Sequence, residues 1–201
     1  MRSMISIFLV MAGCLANAGC VSTRPVHYYT LGAASPPANP GQPKPGGLIL
    51  LVGNIATPEA LQDGRIRYRA GSNEAGAYEY HRWTERPGSM VRNALIRALR
   101  ASGKYQRVLE SGSSTNGDYL LRGKLDEFDE VDHASIQTKI SLHIELIDRK
   151  TNQNVWDHTV EREEPVSGKG VVNVVQSLDR NLQHVVRETT GEIDKYLAAR
   201  H

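Results

Sequence analysis

A strict alternation of apolar and polar side chains constrains this chain more than any other feature. Between Ile136 and Leu146 every second residue is apolar or threonine, and the residues between them are polar. A period of two is typical of a strand with one face toward a core and one toward solvent. Residues 148–154 predict a turn, and residues 155–160 predict a strand that returns antiparallel. This part of the chain is therefore expected to form a sheet with one wet face.

Two amphipathic helices are predicted to cover the apolar face of that sheet. The longer helix follows apolar residues spaced by three and four from Val171 to Tyr196. The shorter helix begins at Pro87, whose fixed φ suits a first helical position, and ends at Gly103. Both helices are expected on the same face of the sheet, since the other face is polar.

Short apolar or alternating runs predict the remaining strands. The turn residues 71–76 predict a hairpin between two of them, and a loss of alternation between Gly123 and Asp126 predicts a bulge. The predicted fold is α+β, an antiparallel sheet of six or seven strands with two amphipathic helices packed on one face, in one domain over residues 48–201. Within this domain the further strands are residues 48–52, 65–69, 77–83, 106–109 and 119–128, and a separate short strand is predicted at residues 26–31, before the linker.

Composition excludes several classes of protein. With 40% apolar and 23% charged residues, the chain is too apolar for a disordered protein and too polar for a multi-span membrane protein. The net charge is only +2 and the basic residues are scattered, which argues against nucleic-acid binding. Both cysteines, Cys14 and Cys20, lie in the first 20 residues. The body therefore has no thiol for catalysis, metal binding or a disulfide.

The first 19 residues are typical of a cleaved export signal. Arg2 is followed by a short apolar run from Met4 to Met11, and small residues come next. The run is too short for a permanent membrane-spanning helix, which needs about 20 apolar residues. We therefore expect a signal peptide at 1–19. Residues 20–47 then form a new N-terminus, a short strand and a proline- and glycine-rich linker.

The residues Ala18-Gly19-Cys20 resemble the bacterial lipobox, in which the cysteine thiol receives a diacylglycerol and the new N-terminus a further acyl chain. Asn17 departs from the apolar residue usual in that motif. Two alternatives stay open, lipidation at Cys14 and ordinary cleavage after Ala18. We favour Cys20. The residue after it is Val21, which resembles the pattern of outer-membrane lipoproteins rather than that of lipoproteins retained at the inner membrane.

Histidines and acidic residues give little support to a metal or catalytic site. His143 and Glu145 share the wet face of one predicted strand, and His158 is predicted to lie opposite them, but exposed strand polarity explains this set equally well. The acidic stretch 126–132 lacks the spacing of a calcium loop, and residues 167–170 predict at most a weak anion site. No HExxH, GxSxG or P-loop motif occurs. We expect no enzyme activity, no metal and no cofactor beyond the covalent lipid.

Three phrases spaced along the chain resemble the ABC-type transport auxiliary lipoprotein family, which includes the PqiC-like lipoproteins. They are residues 28–31, 63–68 and 78–83, between the lipobox and the final amphipathic helix. The resemblance covers about Cys20 to Tyr196. It implies a non-catalytic subunit of an envelope transport system for lipids or other hydrophobic molecules, anchored in the inner leaflet of the outer membrane and facing the periplasm. The implied partners are an ABC permease and an MCE-domain protein, and a homo-oligomer stays open.

The first hairpin is the predicted surface for docking such a partner, because arginine and aromatic residues are enriched at binding hot spots. The alternative is that some of its aromatic residues fill the core. Two other functions stay open for the whole chain, a periplasmic lipid carrier and a structural envelope lipoprotein. The candidate docking residues are Arg65, Arg67, Tyr68, Tyr80, His81, Arg82 and Trp83.

Overall fold

The computed structural model describes residues 24–32, 42, 44–71, 73–112 and 116–200. Within these residues the chain forms eight strands, two α-helices and one 3₁₀ turn at Glu59–Leu61. The helices are α1 (Pro87–Ala101) and α2 (Val171–Ala198). The strands are β1 (His27–Tyr29), β2 (Ile49–Ala56), β3 (Arg65–Ala70), β4 (Glu74–Trp83), β5 (Arg107–Glu110), β6 (Tyr119–Asp132), β7 (Ile136–Asp148) and β8 (Gln153–Pro165). The predicted signal peptide, both cysteines and most of the proline-rich linker lie outside the described residues.

All eight strands belong to one sheet, and β6 is its centre. On one side β6 pairs antiparallel with β7, which pairs antiparallel with β8. On the other side the first half of β6 pairs with β2 and its second half pairs with β3, both parallel. The sheet then continues from β2 to β5, and from β3 through β4 to β1. The two branches diverge because β2 and β3 lie end to end along one edge of β6.

The predicted α+β class with two helices on one face is confirmed, but the prediction of a purely antiparallel sheet is wrong. Four pairings are parallel: β1–β4, β2–β5, β2–β6 and β3–β6. The 3₁₀ turn between β2 and β3 lets the chain continue in the same direction along β6 instead of forming a hairpin. The path from β2 to β5 runs through α1, and parallel strands need such a long connection.

The strongest sequence pattern is confirmed in β7. Thr138, Ile140 and Leu142 face the helices and are buried, whereas Lys139 and His143 lie on the other face and are partly exposed. Ser141 on that same face departs from the prediction, because it is buried. The bulge predicted near residues 123–126 is also present, as a register shift of β6 against β7 between Leu125 and Glu127.

Both helices pack on one face of the sheet, which we call the helix face. The other is the open face, because no described helix packs on it. Helix α1 covers β2 and β5, and α2 covers β7 and β8. The core between the layers is apolar, with Leu95 and Leu99 of α1 and Leu178 of α2 fully buried. Helix α2 is also held by polar contacts, since the Asn181 side-chain amide donates to two strand carbonyls at 3.0 and 3.1 Å.

Candidate partner-docking surface

The β3–β4 hairpin lies at the edge of the sheet, beside the short N-terminal strand β1. Arg65 of β3 pairs with Arg82 of β4, but Arg67 pairs with Ala77. Residues 78–81 of β4 therefore bulge opposite the single residue Ile66. A bulge of this kind changes the face of the sheet toward which side chains point. The seven docking candidates consequently do not form one surface.

Trp83 lies in the core on the helix face. Its side chain is only 4% exposed, and its ring meets the ring of Phe128 edge to face, with centroids 5.6 Å apart. Ile66 on the neighbouring strand is fully buried in the same cluster. Trp83 therefore belongs to the core alternative that the sequence left open, and it is not available to a partner.

Two other candidates, Tyr68 and His81, belong to an aromatic cluster that they form with His27, Tyr29 and Tyr78. The imidazole of His81 stacks on that of His27 at 5.3 Å, and its Nδ1 lies 2.8 Å from the Tyr29 hydroxyl. Tyr78 meets His81 edge to face at 5.8 Å and lies 5.3 Å from the ring of Tyr68. The cluster joins β1, β3 and β4 and is partly exposed.

A buried carboxylate lies beneath the aromatic cluster. Glu130 of β6 is 6% exposed and accepts a hydrogen bond of 2.7 Å from the Tyr78 hydroxyl. Burial raises the pKa of Glu130 above its ordinary value, Tyr78 opposes that shift, and nearby Asp132 adds to it. Burial and Glu130 in turn raise the pKa of Tyr78. The tyrosine hydroxyl therefore stays protonated and holds the cluster to the sheet.

This buried carboxylate gives a pH-dependent prediction. The charged form of Glu130 is disfavoured in the folded state, so ionised Glu130 costs stability at pH values above its folded-state pKa. Glu130→Gln keeps an oxygen that accepts from Tyr78 but carries no charge. We expect E130Q to be more stable than wild type at pH 7, and this advantage to shrink as the pH falls through the folded-state pKa. Urea unfolding of both proteins at pH 7 and pH 4.5 measures it, and an advantage that grows toward acid pH contradicts the assignment.

Arg67 lies on the open face within a network of ion pairs. Its Nε is 3.7 Å from Asp129, and the Nε of Arg69 is 2.9 Å from the same carboxylate. Glu127 bridges Arg69 and Lys139, with both contacts at 2.9 Å. Asp129 is 3% exposed, and burial raises its pKa although both arginines oppose the shift. Arg67 is thus engaged within the sheet rather than free for a partner.

The other three candidates, Arg65, Tyr80 and Arg82, lie toward the open face at the outer edge of the hairpin. Arg65 forms an ion pair of 2.6 Å with Asp63. Desolvation alone would raise the pKa of Asp63, but hydrogen bonds from Arg65 lower it below its ordinary value. Tyr80 is partly exposed, and the guanidinium carbon of Arg24 lies over its ring, 5.8 Å from the ring centroid.

Sequence reasoning missed Tyr29, Tyr78, His27, Glu130 and Arg24. The alternation of β1 places His27 and Tyr29 on one face, but only the parallel pairing of His27 with His81 brings them to the hairpin. Sequence reasoning considers Glu130 only as part of an acidic stretch that lacks calcium-loop spacing, whereas the structure buries it against Tyr78. These contacts join segments about 50 residues apart, which no local pattern reveals.

The structure does not bring together His143, Glu145 and His158, the residues considered for a metal site. His143 pairs in register with Thr159, and His158 pairs with Ile144, so the prediction that His158 lies opposite His143 and Glu145 is wrong. His158 faces α2 instead, with its Nε2 3.8 Å from Glu188. No group of three metal-ligating side chains occurs in the described part of the chain. None of the described helices is long and apolar enough to cross a membrane.

Comparison with known proteins identifies a family for most of the chain. A family model described as an ABC-type transport auxiliary lipoprotein component matches residues 29–189. No curated protein matches the chain.

Solved structures show the same fold. The crystal structure of XCC0632 from Xanthomonas campestris is 20% identical, with a TM-score of 0.72 over 88% of this chain and 100% of that one. An uncharacterized protein is 17% identical, with a TM-score of 0.67 over 85% and 99%. The hypothetical protein CT253 from Chlamydia trachomatis is 11% identical, with a TM-score of 0.53 over 76% and 99%. At these identities the likeness concerns the fold alone.

Proposed function

The chain belongs to the ABC-type transport auxiliary lipoprotein family, and from this premise we propose that it is a non-catalytic, lipid-anchored subunit of an envelope transport system. The proposed system contains an ABC permease and an MCE-domain protein, and it moves lipids or other hydrophobic molecules. The observation that carries the proposal is the extent of the family match. It runs from the end of β1 into α2, and so includes almost the whole sheet and α1.

The proposed anchor is a diacylglycerol and an N-acyl chain on Cys20. Two or three acyl chains hold a protein firmly at a bilayer, at about 0.8 kcal/mol per buried CH₂, whereas one chain binds reversibly. Only six residues separate Cys20 from His27, the first residue of β1. The folded domain would therefore lie on the periplasmic side, close to the membrane, with the acyl chains in the inner leaflet of the outer membrane.

The proposed contact with the transport partner is the aromatic cluster around Tyr68 and His81. Its rings are fixed by the Tyr29–His81 and Tyr78–Glu130 hydrogen bonds. Rigid, partly exposed aromatic side chains lose little conformational entropy on binding and are enriched at hot spots. The cluster lies on β1, β3 and β4, away from the strands that the helices cover, so a partner can reach it without displacing a core element.

Co-purification from native membranes tests the proposal. The tagged chain is cross-linked in cells, purified from detergent extracts and analysed by mass spectrometry for an ABC permease and an MCE-domain protein. We expect both with wild type, and a loss of about thirtyfold for Tyr68→Ala combined with His81→Gln, because removal of a hot spot costs about 2 kcal/mol. Trp156→Ala is the control, since Trp156 is a similarly exposed aromatic residue on β8.

The outcomes test the transport role, the docking surface and the carrier alternative separately. Recovery of neither transport component with wild type contradicts the proposal. Equal recovery with the double variant contradicts the docking surface while leaving the transport role intact. Tight binding of a fluorescent lipid by the purified protein, without transport components, would instead support a carrier.

A further inference from the structure

An arginine- and aromatic-rich patch lies where the described chain begins. We call it the edge patch; it consists of Arg24, Val26, Tyr28, Tyr80 and Arg82. Tyr28 pairs in register with Arg82, and Arg24 lies over the ring of Tyr80. Tyr28 is 64% exposed and Val26 is 41% exposed, and they are two of only three large apolar side chains that are exposed among the described residues.

The charge of the edge patch is positive and largely unpaired. Neither Arg24 nor Arg82 forms an ion pair with a carboxylate within the part of the chain that the structure describes. Among the described residues, the Arg82 guanidinium donates a hydrogen bond to the backbone carbonyl of Asp63, at 3.4 Å. The Asp63 carboxylate itself forms an ion pair with Arg65. Two guanidinium groups are therefore free to pair with phosphate, which they bind in bidentate geometry.

The position of the patch along the chain limits how far it can be from the membrane. Arg24 follows Cys20 by four residues, so its Cα lies within about 14 Å of the Cys20 Cα even in a fully extended chain. The headgroup layer of a bilayer is about 5–8 Å thick on each side. A lipid on Cys20 would thus hold the patch within reach of the headgroups. Tyrosine and arginine are the side chains that suit this zone, since each has an apolar part and a polar end.

We infer that the edge patch docks on the anionic phospholipid surface in which the protein is anchored, and so orients the domain with β1 and β4 toward the membrane. Arg24 and Arg82 contact lipid phosphates, and Val26 and Tyr28 enter the headgroup layer. The aromatic cluster, on the helix face of the same strands, then remains accessible to a transport partner. This inference rests on the proposed lipidation of Cys20.

A quenching experiment on the lipidated protein tests the inference. Cys20 is blocked by lipid and Cys14 lies in the signal segment, so Val26→Cys provides a single free thiol for a fluorophore. The labelled protein is reconstituted in phosphatidylcholine vesicles with and without phosphatidylglycerol, and the quencher is neutral acrylamide. We expect less quenching at position 26 when phosphatidylglycerol is present. A label at Thr159→Cys, exposed on β8, should not respond.

Charge variants identify the groups responsible. Each arginine near an anionic surface should change the ratio of docked to undocked protein about fivefold, so Arg24→Gln with Arg82→Gln should reduce it about 25-fold. Arg107→Gln, an exposed arginine on β5, is the matched control and should change nothing. High salt should have the same effect as the double variant, since surface charges are screened.

Each outcome distinguishes the inference from the proposed function. Unchanged quenching at position 26, in protein that stays with the vesicles, overturns the membrane patch and leaves the anchor in place. Protein that does not stay with vesicles overturns the anchor itself. Protection of position 26 that requires an added transport protein overturns the inference in favour of a protein contact at this patch.

Discussion

Replacement of Trp83 by alanine is expected to lower the free energy of unfolding by about 3–5 kcal/mol. The indole is almost fully buried, and its edge-to-face contact with Phe128 fixes the hairpin to β6. Truncation leaves a cavity beneath β4 and removes an aromatic pair that itself contributes about 1 kcal/mol. For a domain of this size the transition temperature should fall by roughly 10 °C. Urea and thermal unfolding followed by circular dichroism measure both quantities.

Tyr80→Ala provides the matched control for this prediction. Tyr80 lies three residues earlier on the same strand, but it is partly exposed and lies outside the apolar core. Substitutions outside the core usually change stability by no more than about 0.5 kcal/mol. If the two variants unfolded at the same urea concentration, the burial of Trp83 and the bulge that separates it from Tyr80 would both be wrong.

Replacement of Cys20 by serine is expected to abolish lipid attachment and move the protein out of the outer-membrane fraction. Serine lacks the thiol that forms the thioether with diacylglycerol, so the acyl chains that supply the membrane affinity are never added. Mass spectrometry of the N-terminal peptide should show the lipid in wild type and none in C20S. Density-gradient separation of membranes should show the loss from the outer membrane, a nearly complete effect.

Cys14→Ser is the matched control, because it removes the other thiol of the chain. It should leave the lipidated N-terminus unchanged. The mass readout matters, since an uncleaved C20S precursor keeps the apolar run of residues 4–11 and can stay at the inner membrane. Lipid on Cys14, or a wild-type N-terminus that begins at Gly19 without lipid, would contradict the assignment of Cys20.

Much of the fold could be predicted because its elements have local causes. The alternation of residues 136–146 predicts β7, and residues 171–196 predict α2 to within a few residues. Pro87 marks the first residue of α1, and Gly103, with φ of 67°, lies just past its end. These signals depend on neighbours in the chain, so a sequence is sufficient to recognise them.

The docking surface could be predicted only as a segment. The hairpin between β3 and β4 is where the sequence places it, but the bulge at residues 78–81 separates Tyr68 and His81 from Arg65 and Arg82. A shift of one residue in register moves a side chain to the other face of a sheet. The same reason explains why His143 and His158 lie on opposite faces, and why Glu130 is buried under Tyr78.

The sequence by itself determined the helices, most strand segments, the choice of one wet sheet face and the resemblance to a lipoprotein family. The tertiary structure alone decided the strand order, the parallel pairings around β6 and which hairpin side chains are buried. The physical reason is the distance along the chain over which each kind of interaction acts. Periodicity and capping act over a few residues, whereas pairing and register depend on contacts between segments tens of residues apart, which compete across the whole chain.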